Sequence, residues 1–277
     1  FIGHSDPQWL ALLLAPRFRD PRGDAQGCRV LARPGRSPSA GVHVQAPDPD
    51  DDSRRLLLSS PWHDDDVDGF AELVAEVLRR HEHDAAVLRL DAVPPARRDE
   101  LAARLAPLGF APDEVARMRF DLSQVPPLGS PLLLEAWSEA SDRRFRAFYE
   151  DAEGRPVTDA GWAYLKRKNG PFQPDLWFLA RETLDQDPVG YAFCGLVARR
   201  VDGQYTLDAV GVARELRSDS AALRRLVIST LHELASFSPV GAVDAEVSRA
   251  DGRLGDILRY VGFVPVVRSP VLVKRPE

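Results

Sequence analysis

The chain has 277 residues, 44% of them hydrophobic and 28% charged, with a net charge of −6. It is long enough for one large domain or two of ordinary size and too apolar for a disordered chain, while no apolar run reaches the roughly 18 residues of a membrane span. The acidic balance argues against nucleic acid as a partner, because such proteins concentrate Lys and Arg to meet phosphates.

The N-terminal stretch "WLALLLAP" follows Asp6 and not a basic region, so it reads as the end of a helix and not as a signal peptide. With Phe1 in first place, the sequence is expected to continue upstream. The run "PDPDDDSRR" reads as an exposed loop between strands. In "SSPWHDDDVDGFAELV" an apolar strand enters an Asp-rich turn and then a helix, on which Phe70, Leu73, Val74, Val77 and Leu78 recur at helical spacing. "HEHD" at its end reads as a solvated helix terminus. His63, His81, His83 and Asp84 are not expected to hold a metal, since residues two apart do not share a helix face.

A second strand, "AAVLRLD", leads through a polar loop to a helix that ends at Gly109-Phe110 and runs into further strand residues. The proline-rich "DLSQVPPLGSP" closes that strand, and the domain boundary is placed there, giving domains 1–125 and 126–277. Beyond it come a strand, the helices "EASDRRFRAFYEDA" and "TDAGWAYLKRKNG", and the strand run "DLWFLARE". Two strands around Val201-Asp202-Gly203-Gln204 read as a hairpin. Leu223, Leu226, Val227, Leu231 and Leu234 then mark a helix, followed by a strand and a helix ending at Gly262-Phe263. Residues 105–122 and 258–275 are thus two copies of one pattern, and each half reads strand, helix, strand, helix, strand. This predicts an α/β (α+β) chain of two related domains.

Positive charge is carried almost wholly by arginine, with Lys166, Lys168 and Lys274 the only lysines, a bias read as the coding of a GC-rich bacterium. Cys28 and Cys194 match no metal or redox spacing, which points to a reducing, cytoplasmic compartment. The stretch "GVARELRSDSAALRRL", 211–226, carries a strand end at Val210 and Val212 into a polar turn and an amphipathic helix. That arrangement offers free backbone N–H groups to a pyrophosphate, although Ser220 and Ala222 stand where such turns favour glycine. Asp219 and Glu215 oppose a bound phosphate, and Arg214, Arg217, Arg224, Arg225 and the helix start offset them. In the first half Asp64, Asp65, Asp66 and Asp68 crowd the equivalent turn, so no coenzyme is expected there.

These residues resemble the GCN5-related N-acetyltransferases in a tandem, mycothiol-synthase-like arrangement. The likeness covers almost all of 132–277, through "FQPDLWFLARE", "DPVGYAFCG", "LDAVGVARELRSDSAALRRLV", "AEVSRAD" and "LRYVGF", and is fainter over 28–122. The family motif, Arg or Gln, two residues, Gly, one residue, Gly or Ala, falls on Arg217, Ser220 and Ala222, with serine in place of the first glycine. The resemblance implies two domains, each with a mixed, mostly antiparallel twisted sheet flanked by helices. It also implies acetyl-CoA as cosubstrate, no metal, and a small-molecule or peptide amine as acceptor.

The cofactor would then meet Val210, Gly211, Val212, Arg217, Ser218, Asp219, Ser220, Ala221 and Ala222, with a backbone N–H at 210–212 polarising the thioester. The family's acidic Tyr falls on Leu258; Tyr260, two residues on, is the candidate acid, though neither it nor Tyr191 or Tyr205 matches the motif and all three also read as half-buried packing. Asp208 is the candidate base, either facing the cleft or lying on a solvent face, and Glu246 shares that ambiguity. Trp137, Trp162 and Trp177 line a substrate tunnel or fill a core. Two readings stay open: an acetyltransferase, favoured by Arg217 and the order of elements, and a non-catalytic binding protein, favoured by Ser220, Asp219 and Leu258.

Overall fold

A computed structural model of the chain describes residues 28–31, 39–45, 56–63, 66–81, 85–90, 93–127, 129–167, 171–196, 203–248 and 252–275. They fall into two units. Unit one takes the described residues of Phe1–Val115, Ala163–Lys168 and Ser269–Glu277, and unit two those of Ala116–Trp162 and Asn169–Arg268. Strand β5 (Phe110–Asp121), helix α4 (Asp159–Leu165) and strand β11 (Val264–Lys274) are each divided between the units. The proline-rich stretch 121–131 falls inside unit two. "WLALLLAP", the run 47–55, residues 82–84 and the hairpin tip at 201–202 lie outside the described residues.

Unit one contains β1 (Cys28–Leu31), β2 (Ala40–Gln45), β3 (Leu56–His63) and β4 (Ala86–Arg89). The first three are antiparallel neighbours, β3 and β4 run parallel, and β4 pairs antiparallel with the second half of β11, Val271 opposite Arg89. A parallel step needs a crossover, and α1 (Val67–His81) supplies it. Phe70, Leu73, Val74, Val77 and Leu78 form its buried stripe, packed in one core with Val42, Val44, Leu56, Leu88 and Leu272. Helix α2 (Pro95–Leu105) starts on proline, where no N–H is needed. It passes through a short 3-10 turn to Gly109, whose φ of 86° favours glycine, and Phe110 then enters the core.

Unit two orders its strands β5, β10 (Ala242–Ser248), β9 (Gln204–Val212), β8 (Gly190–Leu196), β7 (Trp177–Arg181) and β6 (Leu133–Ala136). The pairs β6–β7, β7–β8 and β8–β9 are antiparallel, and β9–β10 is parallel. Helix α3 (Asp142–Glu153) precedes α4; α5 (Ser220–Phe237) crosses from β9 to β10, and α6 (Gly252–Val261) follows β10. One sheet face packs on α5 and α6, joining Phe178, Ala192, Tyr205 and Val243 to Leu226, Leu231 and Leu258.

The opposite face of β7 and β8 carries an aromatic cluster. Trp177 stacks on Phe193 at 3.9 Å, and Tyr149 of α3 stands 5.1 Å from Tyr191 and 5.6 Å from Phe193. Helix α6 ends at Gly262 with φ 117°, where a Cβ would stand 3.2 Å from the Phe120 ring. Phe263 follows, buried 5.2 Å from Phe120. Both Gly-Phe turns therefore leave a helix through a left-handed glycine and bury the phenylalanine. Among the described residues no helix is long and apolar enough to cross a membrane, and no three His, Cys, Asp or Glu side chains are grouped to hold a metal.

Candidate functional site

Strands β9 and β10 pair only at their starts, Gln204–Leu207 against Ala242–Ala245. Strand β9 runs on to Val212 with β8 along its other edge, as far as Gly190 opposite Val212. Ala213 donates its N–H to Val189 O at 2.9 Å on the β8 side. Strand residues alternate their N–H groups between edges, so Gly211 also faces β8 while Val210 and Val212 face the side where β10 has left the ladder. The result is a short open edge of backbone donors and acceptors on a central strand. At its base the β8–β9 register slips: Phe193 faces Ala209 but Cys194 faces Leu207, which leaves Asp208 as the extra residue of a β-bulge.

Asp208 lies on the sheet face away from α5 and α6. Cys194 belongs to the α5/α6 core, so Gly195 looks the other way; a Cβ on Gly195 would stand 2.9 Å from Asp208 Oδ2 and 3.0 Å from Thr206 Oγ. The glycine thus leaves room for an acid and a hydroxyl to converge. Thr206 Oγ is buried and has no hydrogen-bond partner among the described residues. On β10, Asp244 accepts from Arg119 Nε and Nη2 at 2.7 and 2.9 Å, and Glu246 is exposed on the same side. Burial, and after it the charge of Asp208, pushes the Cys194 thiol well above its ordinary 9.0.

The turn after β9 is a 3-10 segment, Arg214–Leu216, that leads to Asp219 as the cap of α5. Asp219 Oδ1 accepts from Ala221 N at 2.8 Å and Ala222 N at 3.2 Å. The expected anion cradle is thus occupied by the chain's own carboxylate. The amides of Arg217 and Asp219 bond back to Arg214 O and Leu216 O, so those of Ser218 and Ser220 are the ones this network leaves unused. Arg217 turns its guanidinium to Ala152 O, with Nε at 2.8 Å and Nη2 also donating, a cation on the last turn of α3. A concavity of about 230 Å³ opens beside the turn, lined by Leu132, Val189, Val212, Asp219, Arg225 and Leu226. It reaches from Leu132 and Val189 on the β8 side to Val212 and the start of α5 at Asp219, Ala221 and Ala222.

Tyr191 crosses from β8 over Gly211, where a Cβ would meet its ring and hydroxyl at 2.6 to 2.9 Å. This close approach is why position 211 is glycine. The Tyr191 hydroxyl donates to Glu153 Oε1 at 2.5 Å, and burial, then Glu153, push its pKa well above 10.0. Tyr205 is core. Trp162 and Trp177 are buried in the aromatic cluster, and the indoles of Trp137 and Trp162 both donate to Asp142 Oδ1, at 2.8 and 3.0 Å.

Tyr260 stands 74% exposed on α6, beneath the Arg224 guanidinium. Asp208 and Tyr260, paired as base and acid from the sequence, therefore lie on opposite faces of the sheet. Leu258 is fully buried in the α5/α6 core. Gly195 and Thr206 were not legible as site residues; their signal is a small residue and a hydroxyl set one strand apart beside the bulge.

In unit one Asp66 caps α1, accepting from Gly69 N at 2.8 Å and from the Ser39 hydroxyl at 3.0 Å. Asp68 is paired with Arg104. Asp64 and Asp65 lie outside the described residues.

No family model and no curated protein matches the sequence. Solved structures do match in fold. The chain is similar to a GCN5-related N-acetyltransferase from Sphaerobacter thermophilus, with 19% identity over 97% of this chain and 91% of that one and a TM-score of 0.60. It is similar to a tandem GNAT protein from the clavulanic acid biosynthesis pathway, with 15% identity, 97% and 94% coverage and a TM-score of 0.57. A GCN5-related N-acetyltransferase from Kribbella flavida gives 17% identity, 98% and 95% coverage and a TM-score of 0.54. With these likenesses spanning nearly the whole length of both partners, the chain has the fold of the GCN5-related N-acetyltransferases.

Proposed function

We propose that the chain is an N-acetyltransferase that moves an acetyl group from acetyl-CoA to the amine of a small molecule or peptide. Residues 126–277 form the working half and residues 1–125 a supporting half without coenzyme chemistry. The observation that carries this reading is the open edge of β9 at Val210 and Val212, which runs directly into the turn and the start of α5. An extended pantetheine arm has the amides to pair with such an edge, as an added strand does. Ser218, Ser220 and the helix start would hold the pyrophosphate once the Asp219 carboxylate turns away. The residues present fit the cosubstrate on those terms.

Acetyl-CoA supplies a thioester; the chain binds it and manages charge and protons. The N–H of Val210 or Val212 donates to the oxygen on which negative charge develops. Thr206 Oγ accepts from the incoming amine, and Asp208 takes the proton that the nitrogen loses. Tyr260, on the other face of the sheet, takes no part in proton transfer, and the leaving thiolate is protonated by solvent. In unit one the equivalent helix start carries two carboxylates, the cap Asp66 and Asp68 in the first turn, where α5 carries the cap Asp219 alone, and this favours a single coenzyme site.

Calorimetry with acetyl-CoA tests the reading: one site per chain is expected, and two equivalent sites would contradict the role given to unit one. Asp208→Asn should lower turnover on an amine acceptor by about 10²- to 10⁴-fold, the usual scale of general-base catalysis, with coenzyme affinity unchanged. A non-catalytic binding protein is the second reading, favoured by the capped helix start and by Leu258 in the core; absence of binding at millimolar acetyl-CoA would select it.

A further inference from the structure

We propose that Arg224 and Tyr260 form a seat for the adenosine 3′-phosphate end of coenzyme A. This rests on the coenzyme reading above and gives Tyr260 a role in binding in place of the acid role expected from sequence. The direction of the ligand follows from topology. The open edge of β9 lies on its β10 side, and α6, which follows β10, lies on that same side of α5. A coenzyme whose arm runs along this edge and whose pyrophosphate meets the start of α5 emerges toward α6. In the concavity that reaches from the start of α5 to the β8 side, the arginine is already engaged: Arg225 donates to Ser130 O at 2.6 Å and to Glu182 Oε1 at 2.5 Å.

Arg224 sits one helical turn past Ser220, a rise of about 6 Å, within reach of the ribose end of a pyrophosphate held at that terminus. Its guanidinium lies 4.6 Å from the centre of the Tyr260 ring. Tyr260 is 74% exposed, an aromatic surface that core packing does not require. Among the described residues Arg224 makes no ion pair, whereas the neighbouring Arg259 of α6 is paired with Asp256 at 2.7 Å. Stacking holds the guanidinium plane and leaves its N–H edges to a dianionic phosphate, while the ring offers a face to the purine. Arginine for the 3′-phosphate and an aromatic ring for the base together make a site that distinguishes coenzyme A from its dephosphorylated form.

The test is calorimetry with coenzyme A and with 3′-dephospho-coenzyme A. Wild-type protein is expected to bind coenzyme A at least about 10-fold more tightly, the scale of one charge-assisted contact. Arg224→Ala should bring that ratio close to 1. Tyr260→Ala should weaken both ligands about 5- to 30-fold without changing the ratio. Circular dichroism controls for folding. Equal binding of the two ligands by wild-type protein, or an unchanged ratio in Arg224→Ala, overturns the seat and leaves the coenzyme site standing. If neither wild-type protein nor Asp219→Gly binds coenzyme A, the seat and the coenzyme reading fall together.

Discussion

Replacing Asp219 by glycine separates a coenzyme site from a closed one. The carboxylate now satisfies Ala221 N and Ala222 N. Loss of such a cap to glycine costs only a few tenths of a kcal/mol, against about 1 for alanine, so Asp219→Gly should melt within about 2 °C of wild type. The effect on binding is larger. A unit charge about 5 Å from the carboxylate is repelled by about 0.8 kcal/mol in bulk water and about 3 kcal/mol at an effective dielectric of 20. Asp219 is exposed, which weights the lower end, and a gain of about 1 to 2 kcal/mol, or about 5- to 30-fold in Kd, is expected. Calorimetry at low and high salt is the assay, and the gain should shrink as salt screens the pair. Adding Ser220→Gly should tighten binding further by letting the backbone approach the phosphates. No gain at low salt would show that the carboxylate does not face the ligand; no binding even by the double variant would mean that the cleft is closed and the acetyltransferase assignment wrong.

Phe263→Ala and Phe110→Ala should each cost about 3 to 5 kcal/mol through the cavities left behind, read as a fall in denaturation midpoint at unchanged slope. A Cβ at Gly211 would overlap Tyr191, so Gly211→Ala should destabilise by about 1 to 3 kcal/mol and recover in part when combined with Tyr191→Ala, measured as a double-mutant cycle. Tyr191 and Cys194 have folded pKa values above their ordinary 10.0 and 9.0. The unfolded chain therefore releases two protons that the folded chain keeps, and stability should be full below pH 9 and fall above it, at up to about 1.4 kcal/mol per pH unit for each group. Denaturant titrations from pH 8 to 11 check this, and Tyr191→Phe should remove its share of the slope.

Much of the fold was legible because its signals are local. Leucines at helical spacing marked α5, and glycine before phenylalanine marked the ends of α2 and α6, since both glycines take a left-handed φ. The bulge at Asp208 has a sequence signal that only the strand pairing brings out. Tyr205 and Leu207 keep one alternation, Val210 and Val212 the other, and a one-residue slip between them requires an extra residue. The cap at Asp219 has its own signal, an aspartate directly before a helix, which competes with its reading as a charge facing phosphate. The side of the sheet on which Tyr260 falls depends on which face of α6 is buried, and that is set by packing around Leu258. The sharing of β11 between units had no sequence signal at all, because strand partners far apart in the chain are fixed by tertiary pairing.

Strand β11 has a consequence for how the protein is made. Val271 and Leu272 lie in unit one, paired with β4, and Leu272 is buried with Leu88 and Phe70, yet both follow every residue of unit two in the chain. A ribosome adding about 5 to 20 residues each second therefore delivers the closing strand of unit one only after all of unit two. Until then β4 carries an unpaired edge, the kind of surface that seeks other strands. Unit two, whose residues form an uninterrupted middle stretch apart from 163–168, is free to fold first. The half that carries the candidate coenzyme site is then complete while its neighbour still waits, and an early stop before Ser269 would spare the first and leave the second open to aggregation.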